Sequence, residues 1–324
     1  MKIAFLEPHL ELYGGIRRII EFANRFVDRG IDTLIFHPTG GTCRWMECRA
    51  ETRPTSALFD ENYDVLIFNE PHYYRIVRRA RAALKVHYIL GLYERERLIS
   101  FDWKMYWPRR GRTMSLKRCL QLPFLHVSNS TWMQRWLREH AGIETKLQLG
   151  GIDRSVFRPV SGQREEDSFR ILCTGNPSEI KGTATVLEAV ERVRERHPQV
   201  EIATYHGRDI PQSEMAACYG GVDLFVDAQW HGGWNNPVLE AMACGTPVVC
   251  SEIGAVEDFA FHGRTALLAP VRDVAAFAAA IERVITDAPL RKGLAAAALE
   301  HVARFDWDAS ADEFLEMLSQ GVAA

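Results

Sequence analysis

Short runs of aliphatic and β-branched residues alternate with stretches of helical period along the whole chain. In the first half KIAFLE, DTLIFH, DVLIFN, LKVHYIL and FLHVSN read as core strands. Between the first two lies GGIRRIIEFANRFVDRG, where Ile16, Ile19, Ile20, Ala23 and Val27 fall on one helical face and Gly30 suits the position after the helix end. After the polar, charged segment SGQREEDS at 161–168, FRILCTGN opens a second series of the same kind. That series predicts a helix from Thr183, strands in EIATYH and VDLFVDA, a helix from Pro237, strands in TPVVC and TALLA, and a helix from about Asp273. The tail after Phe305 reads as a last amphipathic helix. This alternation predicts an α/β fold with parallel sheets.

The chain has 324 residues, enough for two domains with separate cores. The linker places the division at 1–160 and 161–304, with 305–324 as a closing helix. No run of 18 apolar residues occurs, and MKIAFLEPHLELYGG reads as a first strand rather than a secretory leader. The seven cysteines show no CxxC or Cys/His ligand spacing, and Cys173, Cys244 and Cys250 sit in apolar runs. A reducing, cytoplasmic setting without a metal site is therefore expected.

The net charge of −3 is unevenly placed. Residues 1–160 hold 26 Lys/Arg and 17 Asp/Glu, a balance of +9; residues 161–324 hold 13 and 25, a balance of −12. The basic half reads either as a face for an anionic membrane or acidic acceptor, or as one of two solvated surfaces of opposite sign. FDWKMYWPRRGRTMSLKRC, residues 101–119, concentrates Trp103, Tyr106 and Trp107 among six Lys/Arg. It reads as a peripheral membrane contact, a sugar-stacking element or a solvated basic helix. No nucleic-acid-binding module accompanies it.

Three strand–loop–helix junctions carry candidate chemistry. Gly14-Gly15 follows the first strand and opens the first helix, where a diphosphate can approach the backbone N–H groups; an ordinary tight turn uses the same pair. No GxGxxG dinucleotide fingerprint is present. At the second junction a strand ends at Gly175, and Lys181-Gly182 precede a helix with Thr183 as its expected N-cap. Lys181 there either neutralises a phosphate or projects into solvent. The third is DAQWHGGWNNPVLEAMACGTPVV, with Pro237 at the first helical position behind an Asn cap. Glu240 is expected in the first turn, where it either accepts from ribose hydroxyls or complements the helix dipole by ~0.3–1 kcal/mol.

The ordered set GGIRR, VSNSTWMQRWL, GGIDRSVFRP, GN…KG, GGWNNPVLEAMACGTPVV, EIGAVEDF…HGRTALLAPVRD and FDWDASADEF resembles the group 1 (GT4-type) retaining glycosyltransferases of GT-B fold. The resemblance spans nearly the whole chain, and its NPVLEAMACGTPVV block is the most specific. It implies two Rossmann-like domains facing across a cleft, with the acceptor on the N-terminal domain and the nucleotide sugar on the C-terminal one. It also implies a final helix that crosses back to the N-terminal domain. The implied reaction moves a hexose from a UDP-, dTDP- or GDP-linked donor to a glycan, lipid-linked or small-molecule acceptor, with no cofactor and no metal. Gly14 and Gly15 would meet the diphosphate, with Gly175 and Asn176 beside it. Lys181 would neutralise the leaving group and Glu240 would hold the ribose, while Trp234, Asn235 and Asn236 would surround sugar and diphosphate. Glu257 matches a recurrent glutamate and is read as structural.

Three positions depart from the family pattern. Asn176 stands where a diphosphate arginine is usual, Gly232 where the first of two glutamates is usual, and Leu90 where a histidine is usual. The segment between EIATYHG and VDLFVDA is also short by one helix–strand unit. A non-catalytic GT-B binding or partner subunit is the alternative reading, and a GT-B epimerase is a third that the GT4-like blocks oppose.

Overall fold

The computed structural model describes residues 1–91, 116–160, 168–208 and 210–323. Most of the aromatic–basic stretch 101–119, including Trp103, Tyr106, Trp107 and Arg109, lies outside the described residues. The chain forms two compact units, Met1–Gly151 with Trp307–Ala324, and Ile152–Asp306.

The first unit is built on a seven-stranded parallel sheet in the order β3-β2-β1-β4-β5-β6-β7. Its strands are β1 (Lys2–Leu6), β2 (Asp32–His37), β3 (Glu51–Pro54), β4 (Tyr63–Phe68), β5 (Ala82–Ile89), β6 (Leu125–Ser128) and β7 (Lys146–Leu147). Helices α1 (Gly14–Asp28), α2 (Tyr74–Arg79) and α3 (Thr131–Ala141) connect them. Ile16, Ile19, Ile20 and Ala23 of α1 are buried in the core, as the periodicity predicts. The segment ETRP of β3 carries no apolar alternation, so nothing in the sequence marked it; it forms by pairing with β2.

The closing helix Trp307–Ala323 belongs to this first unit although it ends the chain. Phe22 of α1 meets Trp307 and Phe314 edge-on, with ring centroids 5.3 and 5.0 Å apart. Such pairs contribute about 0.5–1.5 kcal/mol each beyond the apolar area they bury. Arg29 at the end of α1 donates to Asp312 (2.5 Å), and Gln148 donates to both the carbonyl and the hydroxyl of Ser310 (2.9 Å each).

The second unit has a five-stranded parallel sheet in the order β12-β11-β10-β8-β9. These are β8 (Phe169–Cys173), β9 (Val200–Thr204), β10 (Leu224–Asp227), β11 (Val248–Ser251) and β12 (Leu267–Ala269). The helices are α4 (Thr183–Arg194), α5 (Met215–Gly220), α6 (Asn236–Ala243), α7 (Val274–Thr286) and α8 (Ala288–Val302). Among the described residues, a 3-10 turn (Gln212–Glu214) and the six-residue α5 are the helical elements between β9 and β10.

The boundary lies at Gly151/Ile152, ahead of the polar segment at 161–168 where the sequence placed it. The reason is packing: Ile152 bridges to Asp306, the Phe157 ring lies tilted against Tyr219, and Val160 closes on Gly220, all within the second unit. Apolar anchors at 152–160 thus outweigh the polar composition that follows. At the other end the division falls at Asp306/Trp307 rather than after residue 304. Among the described residues, no helix is long and apolar enough to cross a membrane.

Two histidines on neighbouring strands of the first sheet, His87 and His126, are buried with their Nδ1 atoms 3.3 Å apart. Burial, reinforced by His126, holds His87 down at about 3, against 6.5 for an ordinary histidine. As pH falls from 6.5 towards 3, the unfolded chain therefore takes up a proton that the folded chain refuses, and stability falls with pH. We predict that chemical denaturation between pH 7 and pH 4.5 shows a loss of stability whose slope is reduced in His87→Gln. An unchanged slope would contradict a neutral buried pair.

Candidate functional site

Parallel sheets with helical crossovers leave the carboxyl ends of their strands as the place where loops converge. In the second unit, the loops after β8 and β10 are joined at that edge by a polar network. β10 ends in Asp227, a buried carboxylate. Its Oδ1 accepts from the Gln229 backbone N–H (3.1 Å) and from Asn235 Nδ2 (2.9 Å). Asn235 Oδ1 in turn accepts from the Val238 N–H and caps α6. Burial raises the Asp227 carboxyl above the usual carboxylate range, opposed first by the charge of Lys181 and then by these hydrogen bonds.

Lys181 ends a 3-10 turn, Glu179–Lys181, directly before α4. Its ammonium donates to Gln229 Oε1 at 2.7 Å, while the Gln229 amide donates to the His231 carbonyl at 2.8 Å. The partner is a neutral amide and takes one of three donors, which leaves two N–H groups for another ligand. The two loops are also joined through backbone, Trp230 N–H to Ile180 O at 2.9 Å.

Two glycines make this close approach possible. Gly182 has φ 65°, and a Cβ there would overlap the Ala228 carbonyl. Gly175 has φ 72° and lies against the Thr204 side chain at the end of β9. Asn176 folds back on its own loop: its Oδ1 accepts from Ser178 N–H (2.9 Å), and its carbonyl accepts from Thr183 Oγ1 (2.6 Å).

Thr183 is therefore the first helical residue and Gly182 the N-cap, a correction to the expected Thr183 cap. The cap of α6 is likewise Asn235, one residue earlier than expected, and Asn236 opens the helix with Pro237 behind it. Trp234 packs edge-on against Phe259 and Phe305, with centroids 5.1 and 5.6 Å away.

Glu240 is the fifth residue of α6, which begins at Asn236, and so lies just past the first turn rather than in it. Its side chain is 5% exposed and accepts a hydrogen bond from Tyr219 Oη at 2.9 Å. Tyr205 Oη lies 3.3 Å from Tyr219 Oη, continuing the chain. Burial pushes both phenols up, and the nearby Glu240 adds to the shift, so both stay protonated and the Tyr219 hydroxyl directs its proton at the Glu240 carboxyl.

The structure thus gathers Gly175, Asn176, Lys181, Asn235 and Asn236 around one edge of the second sheet, with Trp234 and Glu240 on the adjoining loop and helix. Gly14 and Gly15 begin α1 in the first unit, and Gly15 lies against Leu90 there. The sequence reading missed Asp227, Gln229, Tyr205 and Tyr219. Asp227 carried a signal, an acid ending the apolar run VDLFVD; the isolated tyrosines carried none. We predict that Gly182→Ala loses more than ~2 kcal/mol of stability in denaturant titrations, because strain and overlap add. A neutral effect would mean that the loop is not fixed against β10.

Residues 203–287 match the family model described as Glycosyl transferases group 1. Among curated proteins, the chain is 29% identical over 201 residues to a D-inositol 3-phosphate glycosyltransferase of Corynebacterium diphtheriae, covering 62% of this chain and 44% of that protein. It is 37% identical over 204 residues to the protein of the same name from Stackebrandtia nassauensis, covering 51% and 46%. The chain thus spans about half the length of these relatives. Among solved structures, it is similar to sucrose-phosphate synthase of Thermosynechococcus elongatus, with a TM-score of 0.80, 18% identity and full coverage of both chains. It is also similar to Anabaena HepE in complex with UDP-glucose, with a TM-score of 0.75, 18% identity and coverage of 99% and 100%. With these matches on its sequence and architecture, the chain is a relative of the group 1 glycosyltransferases and has the GT-B fold, two Rossmann-like units with parallel sheets.

Proposed function

We propose that the protein transfers a sugar from a nucleotide-diphosphate sugar to a hydroxyl of a glycan, lipid-linked or small-molecule acceptor, on the cytoplasmic side. The observation that carries this reading is Lys181, held by a neutral amide at the carboxyl edge of a parallel sheet, beside the Asn235-capped start of α6. The sequence match at 203–287 and the UDP-glucose complex of HepE support a nucleoside diphosphate as the ligand of that edge.

In this reading the acceptor oxygen forms a bond to the anomeric carbon as the bond from that carbon to the diphosphate oxygen breaks. The hydroxyl proton passes to the departing phosphate, on the same face of the sugar, so configuration is retained. The protein contributes position and charge. Lys181 stabilises negative charge on the leaving diphosphate, and the N–H groups opening α4 and α6 face the same anion. Glu240, fixed by Tyr219, receives the ribose hydroxyls. No metal is assigned a role.

Calorimetric titration with UDP, GDP and dTDP tests the reading first, and wild-type protein is expected to bind at least one. Lys181→Ala is expected to lower kcat/KM for donor hydrolysis or transfer by about 10²–10³-fold. Glu240→Gln is expected to weaken nucleotide binding about tenfold, or ~1.4 kcal/mol. Absence of binding to all three nucleotides at millimolar concentration would overturn the proposal.

A further inference from the structure

The loop after β12 holds the single non-glycine residue with positive φ among the described residues, Arg272 at φ 66°. A left-handed backbone is unfavourable for a residue with a Cβ and persists only where its surroundings hold it, often at binding sites. The guanidinium carbon of Arg272 lies 3.6 Å from the centroid of the Trp230 ring. Stacked in this way, the guanidinium spends its flat face on the indole and keeps its N–H donors, which lie in its plane, for another partner. The Arg272 side chain makes no ion pair among the described residues. The neighbouring acid, Asp273, is committed elsewhere, accepting from Ala276 N–H to cap α7.

Trp230 ties this arginine to the site. Its backbone N–H donates to Ile180, the residue before Lys181, and its neighbour Gln229 accepts from the Lys181 ammonium. Two consecutive residues, Gln229 and Trp230, thus brace two cations that arrive from different loops, one after β8 and one after β12. Asn176, at the position where the family resemblance implies an arginine, is folded into its own turn and contributes no charge.

We infer that Arg272 is a second cation of the donor site, binding an anionic oxygen of the donor's diphosphate while Trp230 holds its plane. This rests on the nucleotide-sugar reading. Arg272 acts with Lys181, so the two positive charges expected around a leaving diphosphate come from Lys181 and the β12 loop.

The test is calorimetric titration of wild-type, Arg272→Gln and Arg272→Gly protein with UDP, using uridine as a phosphate-free competitor. Arg272→Gln is expected to weaken UDP at least fivefold and to leave uridine unchanged. Arg272→Gly relieves the left-handed backbone, so it is expected to show the same loss of UDP affinity with an equal or higher Tm, which separates ligand contact from misfolding. Wild-type binding of UDP with unchanged affinity in both variants would overturn this inference alone. So would an equal loss for uridine and UDP, which would make Arg272 a prop for Trp230. Failure of the wild type to bind UDP, GDP or dTDP would overturn the proposed function and this inference with it.

Discussion

One buried carboxylate organises the candidate site. Asp227 ends the central strand of the second sheet and takes two hydrogen bonds, from the Gln229 backbone and the Asn235 side chain. Each of those residues serves a second purpose: Gln229 seats the Lys181 ammonium, and Asn235 caps α6. Burial of Asp227 would be costly without compensation, and the Lys181 charge is the largest influence favouring its ionised form. The lysine is thus attracted to the edge without being paired directly to an acid, which leaves it able to meet an incoming anion.

The remaining structure holds this edge in place. Gly175 and Gly182 let the β8 loop lie against β9 and β10, and the Tyr205–Tyr219–Glu240 chain fixes a carboxylate one turn into α6. In the first unit, the closing helix completes a core of Phe22, Phe26, Tyr88, Trp307 and Phe314. The first unit therefore depends on residues 307–323 as well as on residues 1–151.

Much of the fold was legible because buried parallel strands read as apolar runs and amphipathic helices repeat at 3–4 residues. KIAFL, DTLIFH, FRILC and VVCS carry that signal; ETRP of β3 and the two-residue β7 do not, since their pairing comes from neighbours rather than composition. The unit boundary was obscured because polarity at 161–168 is a local property, while Phe157 and Val160 declare their unit only through contacts. Lys181 and the Asn235–Asn236 cap region were legible from their place between strand and helix. Glu240 was placed one residue too near the helix start because an Asn-Asn pair offers two caps, and the bond to Asp227 selects Asn235. The roles of Gln229, Tyr219 and Arg272 depend on distances between loops that no local pattern encodes.

The central claim is that a nucleoside-diphosphate sugar sits on the carboxyl edge of the second sheet, between the β8 and β10 loops. Hydrogen exchange measured by mass spectrometry on the whole protein, with and without saturating UDP-glucose, tests it most directly. The account predicts slowed exchange in peptides spanning 174–184 and 228–240. Protection confined to other regions of the second unit, with these two segments unchanged, would contradict it.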